Sequence, residues 1–207
     1  MPESGEGIDR GLIRDALQRE PRERLRYAAS AARAVSRMQP NAEDVVSAFD
    51  PVPPLRALFE HGATFVVIGD VAASHHGSAM IPFGLELCFE PSRPSLERLA
   101  ETLRSLGASL RGADEDVPFI LDAQTLRNGD SFTFTTRYGS VDILATPSGT
   151  TGYDDLAAGA DLMDLGDGLS VLVTALDDLI RMKRAAGRPK DRIAVEWLTA
   201  LRDERSE

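Results

Sequence analysis

Cysteine is almost absent from this chain of 207 residues, since Cys88 is the only one. A single cysteine excludes an internal disulfide and a zinc site built from several thiolates, and it agrees with a reducing compartment. Long apolar runs are also absent, because no run approaches the roughly 20 residues that span a bilayer. The first 30 residues are charged and lack the apolar segment of a secretory signal. We therefore expect a cytoplasmic protein without a membrane partner.

Basic residues are outnumbered by acidic ones, at 23 against 33. The formal net charge is -10, and residues 51–176 carry 17 acidic but only 7 basic side chains. This balance argues against a broad nucleic-acid-binding surface, which needs concentrated positive charge. The exception is residues 181–192, which hold six basic side chains and a single acid, Asp191.

Lysine is confined to this basic run, because Lys183 and Lys190 are the only two lysines in the chain. A lysine is a compact point charge that suits a close phosphate contact, and the planar fork of arginine does not replace it there. A basic run at the end of a helix also complements the helix dipole. The cluster taken alone leaves both interpretations open.

The order of hydrophobic patterns predicts an α/β protein. Helical patterns over residues 8–18 and 21–38 precede a proline-rich stretch at residues 50–54, which is typical of a linker. We therefore expect a helical N-terminal segment over residues 1–50 and a main domain over residues 51–207. The strand patterns of the main domain lie at residues 64–68, 84–90, 131–136, 140–145, 162–165 and 169–173. Helical patterns lie at residues 55–61, 71–76, 95–106, 175–186 and 189–203. Together they predict a mixed sheet flanked by helices, with helices closing the chain.

Five segments of the main domain stand in the order of a known motif. They are Val66-Val67-Ile68-Gly69-Asp70, His75-His76-Gly77-Ser78, Pro82-Phe83-Gly84-Leu85-Glu86-Leu87-Cys88, Val141-Asp142-Ile143-Leu144 and Ala186-Gly187-Arg188-Pro189-Lys190-Asp191. The first four resemble the nucleotidyltransferase fold, in which a strand ends in Gly-Gly and a short helix ends in His-Gly. A strand with Thr-x-Asp-x-Asp and a later strand with a third Asp follow. The basic tail resembles that of small bacterial nucleotidyltransferases, including actinobacterial toxins of toxin–antitoxin pairs.

The resemblance covers the chain from about residue 55 to its end and implies Mg²⁺-dependent transfer of a nucleoside monophosphate. In such enzymes carboxylates on neighbouring strands hold Mg²⁺ ions, which activate the attacking hydroxyl and neutralise the departing pyrophosphate. It assigns catalysis and metal binding to Glu86 and Asp142. It assigns nucleotide binding to Gly69, Asp70, Lys183, Arg188 and Lys190.

The chain departs from the family pattern at one of the two strand carboxylates. In one register these positions are Gly84 and Glu86, and in the other they are Glu86 and Cys88, so either register lacks one oxygen ligand. A thiol is a poor Mg²⁺ ligand. Pro82 stands where a hydroxyl residue is usual, and Asp70 replaces the second glycine of the pair that approaches phosphate.

Simpler interpretations exist for the same residues. Glu86 alone suits the polar face of a strand, and Asp142 alone suits a surface acid near a turn. His75 and His76 are expected to form hydrogen bonds within the fold, which is more common for a histidine at a helix end than metal binding.

Three functions stay open. The first is a nucleotidyltransferase-fold protein with weakened or lost catalysis that binds a nucleoside triphosphate or the end of a tRNA or other RNA. The second is an active, Mg²⁺-dependent toxin with a cognate antitoxin, which transfers a nucleotide to a hydroxyl on RNA, protein or a small molecule. The third is a non-catalytic protein-interaction module. The acidic body suits a small or single-ended substrate better than a long duplex.

Overall fold

The fold is a mixed sheet with helices around it. The computed structural model describes residues 8–38, 49–112 and 119–206. These residues form nine helices and one seven-stranded sheet, so the predicted α/β class is confirmed. Within the same ranges no helix is long and apolar enough to cross a membrane.

The bounds of the elements follow the predicted patterns closely. The helices are α1 (Arg10–Leu17), α2 (Pro21–Met38), α3 (Val52–Glu60), α4 (Gly69–His76), α5 (Arg93–Ser105), α6 (Ala123–Asn128), α7 (Tyr153–Ala157), α8 (Leu176–Ala186) and α9 (Pro189–Ser206). The strands are β1 (Phe65–Ile68), β2 (Gly84–Phe89), β3 (Ser109–Leu110), β4 (Ser131–Thr136), β5 (Gly139–Leu144), β6 (Asp161–Gly166) and β7 (Leu169–Val173).

The sheet order β3-β4-β5-β2-β1-β7-β6 places β2 in the middle of the sheet. Strand β2 runs antiparallel to β1 and parallel to β5. Its alternation fixes which side chains face the core, because successive side chains of a strand point to opposite faces. Leu85 and Leu87 are fully buried on one face, and Glu86 projects from the other.

The proline-rich stretch at residues 50–54 is not a linker throughout. Helix α3 begins at Val52 and takes Pro53 and Pro54 into its first turn, where the missing N–H of proline has no helical partner to lose. The division at residue 50 stays a prediction. Residues 1–7 and 39–48 of that segment lie outside the described residues, and Ile13 and Leu25 of α1 and α2 pack into the core cluster that the sheet also forms.

Candidate functional site

A pocket of about 480 Å³ brings together side chains from β2, β5, the start of α4 and the two C-terminal helices. Six of the seven residues that the sequence singles out for a site line it. They are Gly69, Glu86, Asp142, Lys183, Arg188 and Lys190. The seventh, Asp70, lies beside the pocket and forms an ion pair with Lys183, with its Oδ1 3.3 Å from Nζ.

Glu86 and Asp142 are register partners in the parallel pair of β2 and β5, so their side chains leave the same face of the sheet. The expectation that these two acids lie together on adjacent strands is confirmed. Burial raises the pKa of Glu86, and the nearby Lys183 opposes this rise. Burial also raises the pKa of Asp142, with Arg111 acting in the opposite direction. Negative charge at both positions is therefore costly unless a cation is present.

Gly69 starts α4 directly after β1 and has a φ of +67°, in the left-handed region that favours glycine. A Cβ at this position would lie 2.6 Å from the carboxyl group of Glu86. The backbone at Gly69 therefore passes close to the side chain of Glu86. A larger residue would push that carboxylate out of its place.

A buried acid, Asp191, forms ion pairs with both Lys183 and Arg188. Its carboxylate accepts hydrogen bonds from Arg188 Nε at 2.6 Å and Nη2 at 3.2 Å, and Lys183 Nζ lies 3.9 Å away. Burial by itself raises the pKa of Asp191, but the bonds from Arg188 hold it below its usual value. In the sequence, Asp191 stands out only as the single acid of the basic run. Asp191 lies in the first turn of α9, three residues after Arg188, a spacing typical of an acid that accepts a hydrogen bond from the backbone N–H just before a helix.

Arg111 also lines the pocket, although no sequence pattern indicates it. Its Nη1 donates to Ser140 Oγ at 2.8 Å, and its Nη2 lies 3.8 Å from Asp142 Oδ1. The guanidinium thus lies beside one of the two site carboxylates. Arg111 follows the two-residue strand β3, and so short a strand has no periodicity that would reveal it.

The family's second strand carboxylate would stand at position 84 or at position 88. Neither Gly84 nor Cys88 supplies an oxygen ligand in its place. Cys88 is fully buried, burial raises the pKa of its thiol to about 12, and the thiol donates to the carbonyl of Ala145 at 3.6 Å. Gly84 pairs with Ser140, and a Cβ at Gly84 would lie 3.1 Å from the Cβ of Ser140. A side chain at position 84 would be crowded by its neighbour on β5.

The two carboxylates fit a single Mg²⁺ ion. Asp142 Oδ1 is buried and has no hydrogen-bond partner among the described residues, and Glu86 lies beside it on the same face. Carboxylate oxygens are the ligands that Mg²⁺ prefers. No protein-family model matches this chain, and no curated protein matches it significantly. Membership of the nucleotidyltransferase fold is therefore a proposal, which rests on the motif residues and their positions.

Proposed function

We propose that this protein belongs to the nucleotidyltransferase fold and binds a nucleoside triphosphate in the pocket, together with one Mg²⁺ held by Glu86 and Asp142. The observation that best supports this proposal is the charge of the side chains that line the pocket. Its described residues include four bases and two acids, in a protein whose net charge is -10. Basic side chains suit the phosphate oxygens, and the carboxylates suit the metal ion. The volume of about 480 Å³ lies in the usual range of small-molecule sites.

The basic side chains of the pocket divide into fixed and free ones. The side chain of Lys183 is only 13% exposed and is held between Asp70 and Asp191, while Arg188 is held by Asp191. Lys190 has no ion-pair partner within the described part of the chain and is exposed. Fixed groups lose little conformational entropy when a phosphate binds. Lys183 and Arg188 therefore form a prepared anion site, and Lys190 closes onto the phosphate from solvent.

Catalysis at this site is weaker than in a three-carboxylate enzyme. Two carboxylates balance one divalent ion, whereas transfer through two metal ions also stabilises both the attacking and the leaving oxygen. Asp142 additionally shares its charge with Arg111. Nucleotide binding is thus the main activity in this proposal, and transfer of the nucleotide is slow.

Isothermal titration with ATP, GTP, CTP and UTP, in Mg²⁺ and in EDTA, tests the binding. Lys183→Ala should weaken Mg²⁺-dependent binding by about tenfold or more, because a hydrogen bond to a charged group contributes about 1.5–3 kcal/mol. Arg184→Ala is the matched control, since Arg184 is the next basic residue of α8 and does not line the pocket. Equal binding by both variants, or no binding by the unmodified protein at millimolar nucleotide, would remove the proposal and favour an interaction module.

The active toxin-like enzyme is the second candidate, and the pairing of Glu86 with Asp142 favours it. Glu86 and Asp142 would hold one Mg²⁺, which would supply charge stabilisation while a hydroxyl of an RNA end, a protein or a small molecule attacks the α-phosphate and pyrophosphate leaves. Incubation of the protein with labelled nucleotides and RNA, including tRNA, distinguishes the two. Efficient labelling that Glu86→Gln abolishes would establish the active enzyme and make a search for a cognate antitoxin worthwhile.

A further inference from the structure

A second cluster of polar side chains lies at the opposite end of α4 from the pocket. It consists of His75 and His76, which end the helix, and Asp161, which begins the edge strand β6. One ligand atom of each residue lies within 4.8 Å of those of the other two. The two imidazole rings stand edge to face with their centroids 5.1 Å apart.

His75 carries a polar atom that the fold leaves unused. Its side chain is buried, with the residue 8% exposed, and Nδ1 has no hydrogen-bond partner among the described residues. Burial lowers the pKa of His75 to about 4, and the neighbouring His76 contributes to this shift. The ring is therefore neutral at neutral pH. A buried nitrogen without a hydrogen-bond partner destabilises the fold, and a ligand bound to it would remove that cost.

His76 is oriented as metal-binding histidines are. Its Nε2 lies 2.8 Å from the carbonyl oxygen of Thr174, and a carbonyl only accepts, so Nε2 carries the proton. Nδ1 then holds the lone pair, and it lies 3.7 Å from Asp161 Oδ2. A hydrogen bond from the far ring nitrogen to a backbone carbonyl is the usual device that fixes the tautomer of a metal ligand. The expected bond within the fold is present for His76, but it leaves the other nitrogen turned to the cluster.

We propose that His75, His76 and Asp161 bind a divalent transition metal ion of the Zn²⁺ class. Two imidazole nitrogens and one carboxylate form the ligand set of many zinc sites that keep a water molecule as fourth ligand. Imidazole suits Zn²⁺, Co²⁺ and Ni²⁺, whereas Mg²⁺ prefers oxygen, so this site differs in chemistry from the pocket. The ion would tie the C-terminal end of α4 to the edge strand β6.

Arg205 competes for this site. Its Nη1 donates to Nδ1 of His76 at 3.0 Å and so occupies the lone pair that a metal ion would take. Arg205 lies near the C-terminal end of α9, and its long side chain reaches the cluster from there. Arg24 lies close to Arg205. Burial is the main cause that lowers the pKa of Arg24, and the positive charge of Arg205 is the second. Both guanidinium groups also oppose a positive charge at the two histidines, so metal binding requires Arg205 to turn away from His76.

Titration of the chelator-stripped full chain with Co²⁺, followed by visible absorption and competition with Zn²⁺, tests the site. In a Glu86→Gln background, which removes the carboxylate pair of the pocket from the count, one ion per chain with the d–d bands of nitrogen and oxygen ligands is expected. Asp161→Asn and His75→Gln should each weaken binding at least about tenfold, because even outer-shell partners contribute 10–100-fold. Arg205→Ala should tighten binding, which adventitious surface binding would not show. Asp161 is about half exposed, so its replacement tests the site without disturbing the core.

The third histidine of the chain provides the matched control. His61 is exposed, its Nδ1 bonds the carbonyl of Ala57, and it lies outside the cluster. His61→Gln should leave the Co²⁺ affinity unchanged. Absence of the absorption bands at millimolar Co²⁺, equal affinity of the Asp161→Asn variant and the unmodified protein, or loss of affinity in His61→Gln would each overturn the site.

Discussion

Gly69 is the residue at which backbone conformation and site chemistry depend most directly on each other. Its φ of +67° is strained for any residue with a Cβ, and that Cβ would reach the carboxyl group of Glu86. The end of the Glu86 side chain can move, so the clash is expected to displace the carboxylate while the backbone keeps its path. The substitution is therefore expected to weaken metal binding strongly and to lower the free energy of unfolding only moderately.

We predict that Gly69→Ala abolishes Mg²⁺-dependent nucleotide binding and lowers the stability by about 1–2 kcal/mol, the cost of a left-handed residue. Gly107→Ala is the control, since Gly107 has a φ of +70° and a Cβ there meets no described atom within 4 Å. Nucleotide titrations and thermal melts of both variants check the prediction. If both variants lose nucleotide binding equally, the contact with Glu86 is not the cause.

At the residue scale, the predictable site residues are those whose position the family motif fixes. Glu86 and Asp142 are named by motif order, and the pairing of β2 with β5 brings them together. Arg111 lies outside the motif, and the motif assigns no role to Asp191. Arg111 follows a strand of two residues, and Asp191 is a carboxylate that sequence patterns place at the surface but the fold buries completely.

At the scale of elements, α4 joins the two candidate sites. Its first residue contacts the pocket, and its last two residues form the histidine cluster. Burial lowers the pKa values of His75 and His76, the former to about 4. The folded state therefore binds protons at these residues less readily than the unfolded chain.

The stability of the protein should accordingly fall as the pH drops from about 6.5 towards 4. A histidine with a pKa near 6.5 when unfolded and about 4 when folded contributes stability above pH 6.5 that is lost below it. For His75 the loss approaches about 3 kcal/mol, at 1.36 kcal/mol for each pKa unit. Urea unfolding in EDTA at several pH values measures it.

Carboxylates also make the stability depend on pH. Two variants separate the contribution of His75 to this dependence from that of the carboxylates. His75→Gln should flatten the decline between pH 6.5 and 4, whereas His61→Gln should follow the unmodified protein. A decline that is equally steep in all three proteins would show that burial of His75 does not cause it.

Long elements were predictable, and very short ones were not. The two hairpins at residues 131–144 and 161–173 and the two C-terminal helices lie where alternation and helical spacing predict them. The elements β3, α6 and α7 have two to six residues, too few for a period to show. The start of α4 at Gly69, two residues earlier than expected, depends on the left-handed conformation of that glycine.

At the scale of the whole molecule, an acidic protein lines one pocket with four basic side chains. The parallel neighbours β2 and β5 are separated by about 50 residues in the chain, and no local pattern specifies such a pairing. The family resemblance supplied what the local patterns lacked. We propose that the paired carboxylates of these strands hold one divalent ion together with a nucleoside triphosphate.

The most direct test counts the metal ions. Mn²⁺ replaces Mg²⁺ and is measured by electron paramagnetic resonance at saturating ATP, in a His75→Gln background that removes the histidine cluster from the count. We predict about one bound Mn²⁺ per chain, which Glu86→Gln or Asp142→Asn removes, since hard cations need these carboxylate oxygens. Undiminished Mn²⁺ binding in both carboxylate variants, or no Mn²⁺ bound with ATP, would contradict the account.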